Sequence, residues 1–143
     1  MDDILNDNVE FGFCGEFPRE GRYIGIDTET VMVEELMLAV PPDHPMRSRV
    51  SVRLEEIMSE PFIGYTPNTG IIHSLGDGFA KAGCHYSALK QVYQAAEDNT
   101  VLAMVRAGLG VSIVAYNPTL YTEGVRLIPV TDPPLFRNLY MAW

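Results

Sequence analysis

The sequence predicts an α/β domain built on parallel strands, and three observations carry that expectation. The first is T-V-L-A-M-V-R-A-G-L-G-V-S-I-V-A at Thr100–Ala115, which joins a helix, a glycine stop and a buried strand. Val101, Met104 and Val105 recur at helical spacing. Gly108 stands where a helix C-terminus takes a left-handed residue. Val111–Ala115 is an apolar run too short for a helix and suited to a strand covered on both faces. The second is the order from Val52 onward: helix, strand, helix, strand, helix, strand, which is a small doubly wound sheet. The third is composition. The chain has 143 residues, 47% hydrophobic and 20% charged, which is ordinary for a folded domain and enough for one domain or two small lobes.

Taken in order, Val9–Cys14 (V-E-F-G-F-C) reads as a strand. Val31–Val40 reads as a longer one, interrupted by Glu34 and Glu35 and ended by Pro41, Pro42 and Pro45. Val52–Ser59 has the pattern of a short amphipathic helix, with Val52, Ile57 and Met58 as core contacts. Pro61 breaks it, and Phe62–Tyr65 follows as a strand. T-P-N-T-G is a loop of turn formers. Thr69 is placed to cap a helix running to about Ala82 and ended by Gly83. Leu89–Ala95 alternates as a strand. Glu97, Asp98 and Asn99 open the next helix, with acidic groups where the helix dipole favours them. Val125–Val130 is a further strand, and Leu135–Trp143 a last extended segment. The five methionines Met32, Met37, Met46, Met58 and Met104 suit gap filling in a core.

Composition and motifs also exclude functions. Ten basic against nineteen acidic residues give a net charge of −9, so this segment lacks the basic face that nucleic acid requires. No apolar run approaches the roughly 20 residues of a membrane span. The acidic N-terminus M-D-D-I-L-N-D-N lacks the positive region of a signal peptide, so the chain reads as cytoplasmic, and Cys14 and Cys84 as free thiols. His44, His73 and His85 have no ligand spacing, so no metal is expected. Cys84 beside His85 has the neighbour of a reactive thiol. S-L-G-D-G at Ser74–Gly78 has the wrong order for a nucleophile elbow. Gly76 and Gly78 instead suit close helix packing. No phosphate loop or dinucleotide fingerprint occurs. The chain is expected to be non-enzymatic and to carry no cofactor.

Five segments in order resemble the effector-binding domain of LysR-type transcriptional regulators. They are V-E-F-G-F-C-G-E at Val9–Glu16, E-E-L-M-L-A-V-P-P-D-H-P at Glu34–Pro45, L-E-E-I-M-S-E-P-F-I at Leu54–Ile63, F-A-K-A-G at Phe79–Gly83 and V-R-A-G-L-G-V-S-I-V at Val105–Val114. The chain departs from the family pattern at Ala115, where a proline commonly follows the strand; Pro118 comes three positions on. The resemblance implies a two-lobe fold of the type II periplasmic-binding-protein kind. Residues 1–30 would be a remnant of the first lobe. Residues 31–143 would be the second lobe with both crossover strands, 31–42 and 134–143. It implies no enzyme but a sensor for a small-molecule effector, acting as a homodimer or higher oligomer. Contact with DNA would come only through a helix-turn-helix domain absent from this chain. The alternative of similar fold is a freestanding solute-binding protein of the periplasmic type.

The same resemblance places the effector in the cleft between the lobes, where helix N-termini offer unpaired backbone N–H groups to small anions or polar metabolites. Tyr65, Thr66, Asn68, Thr69 and Gly70, between a strand and a helix start, would form one wall. Thr69 and Asn68 also have local work, as cap and turn. Gln94, Ala96 and Glu97 would form a second wall. Cys14, Gly15 and Glu16 would contribute the first-lobe side. The family commonly makes a ligand contact at the position of Gly15, and a glycine there offers backbone only.

Overall fold

A computed structural model describes residues 1–143. After a one-turn helix α1 (Asp2–Leu5), the chain forms β1 (Gly12–Cys14), β2 (Thr28–Val40), β3 (Val52–Arg53) and a one-turn helix α2 (Leu54–Ile57). Then come β4 (Pro61–Tyr65), α3 (Ile71–Lys81), β5 (Lys90–Ala95), α4 (Asp98–Arg106), β6 (Ser112–Ala115), β7 (Arg126–Thr131) and β8 (Leu135–Ala142).

The long strand β2 organises the fold. β8 runs antiparallel to it from Thr28 to Leu36, and β7 runs antiparallel to it from Met37 to Val40. β6 also pairs with β2 antiparallel, over Leu36–Ala39. β1 adds to β8, and β3 adds to β7 in parallel. β4 and β5 form a separate parallel pair. Thus β2 and β8 make a two-stranded ribbon leading out of the α/β body, with β1 along its edge.

The strand at Val111–Ala115 departs from the doubly wound expectation. Its burial is as read, since Val111 through Ala115 are all at most 1% exposed. Its pairing is different: it joins β2 antiparallel and touches β4 through a single parallel bridge, Phe62–Val111. That bridge is held by Ile63 N–H donating to the Val111 carbonyl at 2.8 Å and Val111 N–H donating to the Pro61 carbonyl at 2.9 Å. An apolar run announces burial, but which edge it pairs with is decided by the partner strand's register.

Other boundaries shift for local reasons. The first strand begins at Gly12 rather than Val9. Val52 is not helical; it sits in β3 and is 1% exposed, with the helix reduced to Leu54–Ile57 and Leu54 buried beside it. Glu56 holds that turn, its carboxylate accepting from Arg53 N–H at 2.8 Å and from Arg49. Those hydrogen bonds hold its carboxyl below its ordinary value.

α3 buries Ile71, Ser74, Leu75, Gly78 and Phe79, the i, i+3, i+4, i+7, i+8 stripe of an amphipathic helix. α4 buries Val101, Leu102 and Val105. Each helix ends on a left-handed glycine, Gly83 at φ +74° and Gly108 at φ +77°, a conformation with little cost only for glycine. One core of 25 buried residues, from Leu36 to Leu135, unites the body. No helix is long and apolar enough to cross a membrane.

Candidate functional site

The N-termini of α3 and α4 open into one cleft of about 250 Å³ beside the β2–β8 ribbon. It is lined by Gly15, Tyr65, Thr69, Gly70, Ala96 and Glu97 from the residues read in the sequence, together with Ile71, Asp98, Arg137 and Leu139. β4 and β5 are parallel, so their C-terminal ends, Tyr65 and Ala95, finish side by side. The loops that follow them reach the two helix starts, which is where open α/β sheets place their ligand crevices.

Each wall is fixed locally. On the first, Thr69 does not cap α3. Its Oγ1 donates to the Thr66 carbonyl at 2.8 Å, closing the T-P-N-T turn, and Gly70 becomes the cap residue with no side-chain cap bond. Ile72 and His73 are the first N–H groups at the helix start to find backbone partners, on the Thr69 and Gly70 carbonyls. The N–H groups of Gly70 and Ile71 therefore have no acceptor in the chain, and no acidic side chain occupies the first turn. On the second wall, Glu97 precedes α4 without capping it, and the N–H groups of Asp98, Asn99 and Thr100 are likewise unmatched. Two helix dipoles thus present their positive ends to the same space.

The floor is a chain of charges. Arg137 Nε donates to Glu34 Oε2 at 2.6 Å, and its Nη2 lies 3.8 Å from Asp98 Oδ2. Tyr65 O–H donates to Asp98 Oδ1 at 2.5 Å. Burial, with the Asp98 charge beside it, pushes the Tyr65 phenol far above its ordinary value, so it remains a donor. This relay links β2, β8, α4 and β4. The Glu34 side chain is 7% exposed and that of Arg137 19%.

The remaining sequence-read residues divide between two places. Cys14, Glu16 and Asn68 line an adjoining cavity of about 410 Å³, which also touches Gly15, Thr69, Gly70 and His73. The two spaces meet where Gly15 and Gly70 approach; a Cβ on Gly70 would lie 3.5 Å from the Gly15 Cα. Thr66 and Gln94 line neither space. Thr66 N–H donates to the Ala95 carbonyl, and Gln94 is exposed with its amide on Gln91. Both thiols are free; burial pushes that of Cys14 up.

Sequence reasoning passed over Arg137 and Glu34, yet a signal was present. Glu34 interrupts one long extended apolar segment, and Arg137 is the one basic residue in the other. The antiparallel register places them opposite each other.

The sequence profile described as LysR substrate binding domain matches residues 1–143. An uncharacterised HTH-type transcriptional regulator of Methanocaldococcus jannaschii is 27% identical over 99% of this chain and 47% of its own length. Among solved structures, the effector-binding domain of QuiR superposes with a TM-score of 0.85 at 20% identity, over 99% of this chain and 65% of that one. The BenM effector-binding domain superposes at 0.76 with 21% identity, over 99% and 63%. The fold is therefore that of the LysR effector-binding domains, periplasmic-binding-protein-like and type II. The chain spans about half the length of that archaeal relative. By the match along its whole length, the chain belongs to the LysR substrate binding domain family.

Proposed function

We propose that this chain senses a small metabolite in the cleft between Gly15, Gly70 and Glu97, as the effector-binding part of a transcriptional regulator. One observation carries the reading: two uncapped helix N-termini and the Arg137 guanidinium converge on a single space of about 250 Å³. Unpaired N–H groups at helix starts favour an anionic or strongly polar group. Among the structural neighbours, the QuiR domain is in complex with shikimate and the BenM domain has benzoate as its effector. Small polar carboxylates are the corresponding class here. Glu97 at the rim adds an acceptor for a hydroxyl or ammonium group on the same molecule.

The cleft joins elements that belong to two parts of the fold. Residues 1–30 form the first-lobe remnant and residues 31–143 the second lobe with its crossover strands. An effector touching Gly15 on one side and Gly70 and Glu97 on the other shifts their relative position only by its differential affinity for the two arrangements. In the full regulator, located in the cytoplasm, a homodimer or higher oligomer passes that shift to a helix-turn-helix domain, which alone contacts DNA. Val31, Met32, Val33, Phe11, Phe13 and Phe136 are each about half exposed or more along the ribbon, and such an apolar patch supports assembly. The role is non-catalytic.

The test is a thermal-shift screen of the chain against a panel of small carboxylates including shikimate and benzoate. A stabilising compound at 100 times its Kd raises stability by about 2.7 kcal/mol. If no member of the panel stabilises the chain, and the full regulator's DNA footprint ignores all of them, the reading is wrong.

A further inference from the structure

The ribbon strand β8 has a second face, and it too borders a cavity. Side chains alternate along a strand. Arg137 and Leu139 face the cleft, whereas Phe136 and Asn138 line a separate space of about 190 Å³. Its other wall is the body of α3, through Ser74, Asp77, Gly78 and Lys81, a single stripe at i, i+3, i+4 and i+7. Helix and strand come this close because position 78 has no side chain; a Cβ there would collide with Leu135 Cδ2.

The polar groups around this space have unmet partners. Ser74 is only 7% exposed, and its buried Oγ makes no hydrogen bond. A buried helical serine can bond back to a carbonyl of the preceding turn, and this one does not. Glu16 Oε1 accepts from Asn138 Nδ2 and from Tyr140 O–H, each at 3.0 Å, and no cation pairs with Glu16. Asp77 and Lys81, one turn apart on α3, form no ion pair either. Two carboxylates, one ammonium and one buried hydroxyl therefore surround a cavity worth about six waters, at roughly 30 Å³ each.

We propose that this cavity is a second small-molecule site, distinct from the cleft, for a free α-amino acid with a short side chain. The ligand's ammonium sits between Glu16 and Asp77, its carboxylate faces Lys81, and Ser74 Oγ supplies the hydrogen bond it now lacks. A neutral polyol leaves all three charges unpaired, and a simple anion meets two carboxylates against one ammonium. An amino acid here would join Glu16, which follows β1, to both α3 and β8. Occupancy would therefore tether the first-lobe segment to the second lobe from the side opposite the cleft.

The test is an amide chemical-shift titration of the 143-residue chain with L-serine, lactate and ethanolamine as separate probes. L-Serine is expected to give saturable shifts at Ser74, Asp77, Lys81 and Asn138. Lactate lacks the ammonium and ethanolamine the carboxylate, so each is expected to bind at least about tenfold more weakly, the worth of one charge-assisted hydrogen bond. Asp77 is exposed and bonded to nothing, so Asp77→Asn should fold normally and bind L-serine at least about tenfold more weakly. The proposal is overturned if L-serine gives no saturable shift at these positions, which would mean the cavity holds water only. It is equally overturned if lactate or Asp77→Asn matches the parent. Shifts confined to Gly70, Ala96 and Glu97 would overturn it while supporting the cleft.

Discussion

Replacing Arg137 with methionine removes the centre of the charge relay beneath the cleft while keeping most of its apolar bulk. Arg137 holds Glu34 at 2.6 Å and approaches Asp98 at 3.8 Å, and the Glu34 side chain is 7% exposed. At an effective dielectric constant of about 20, opposite charges about 4 Å apart attract by roughly 4 kcal/mol. The larger consequence of the substitution is that Glu34 is left buried with no donor. Breaking a buried pair from one side costs about 3–5 kcal/mol, whereas replacing both partners is often close to neutral. Arg137→Met should therefore lower unfolding free energy by about 3–5 kcal/mol, a large share of the roughly 5–15 kcal/mol typical of a domain. Adding Glu34→Leu should recover most of it. Urea unfolding of the two single variants and the double, read as a double-mutant cycle, measures this directly. A coupling energy below about 1 kcal/mol would show that the pair behaves as an exposed one and would refute the relay as a structural element of the cleft floor.

Further predictions rest on separate contacts. A Cβ on Gly110 would lie 2.5 Å from the Pro61 carbonyl oxygen, whereas one on Gly78 would meet only the end of the Leu135 side chain. Gly110→Ala must therefore shift backbone and break the Phe62–Val111 bridge. We expect it to cost about 2–3 kcal/mol and Gly78→Ala clearly less, with urea midpoints as the readout; equal losses would contradict the comparison. Glu56 has a depressed folded-state carboxyl because it accepts from Arg53 N–H and Arg49. Its contribution is thus present above the unfolded carboxyl's ordinary value and lost as pH falls through the lower folded value. Glu56→Gln should cost about 1 kcal/mol at neutral pH, and the difference from the parent should close in acid; a deficit independent of pH would exclude the charged hydrogen bonds as its cause. Tyr65→Phe removes the donor to Asp98 and should cost about 1.5–3 kcal/mol, visible as a lowered Tm.

Much of the fold was legible because local signals and burial agreed. α3 and α4 each carry an apolar stripe and a terminal glycine, so their existence and their ends followed from periodicity and backbone freedom together. The two long extended segments were equally visible. What sequence could not supply was pairing. Val111–Ala115 looks the same whether its neighbour is parallel or antiparallel, and only the register with β2 decides. Val52 fits a helical stripe, yet two residues of parallel pairing with β7 hold it extended. Of the residues read for the cleft, Gly15, Gly70, Ala96 and Glu97 come together where backbone defines the space. Side chains that cross between distant segments carry no such local signal. Thr69 has the right identity for a cap, but its hydroxyl is taken by Thr66. Arg137 lies 103 positions from Glu34 in the chain, and nothing local ties the two.

In the proposed function one cleft, between Gly15, Gly70 and Glu97, receives the effector. The most direct measurement is an amide chemical-shift map of the chain titrated with the most stabilising small carboxylate from the thermal-shift panel. Binding in the cleft should give the largest saturable changes at Gly15, Gly70, Ile71, Glu97 and Asp98, around the two open helix starts. Changes clustered elsewhere, with these five amides unmoved at saturation, would contradict it.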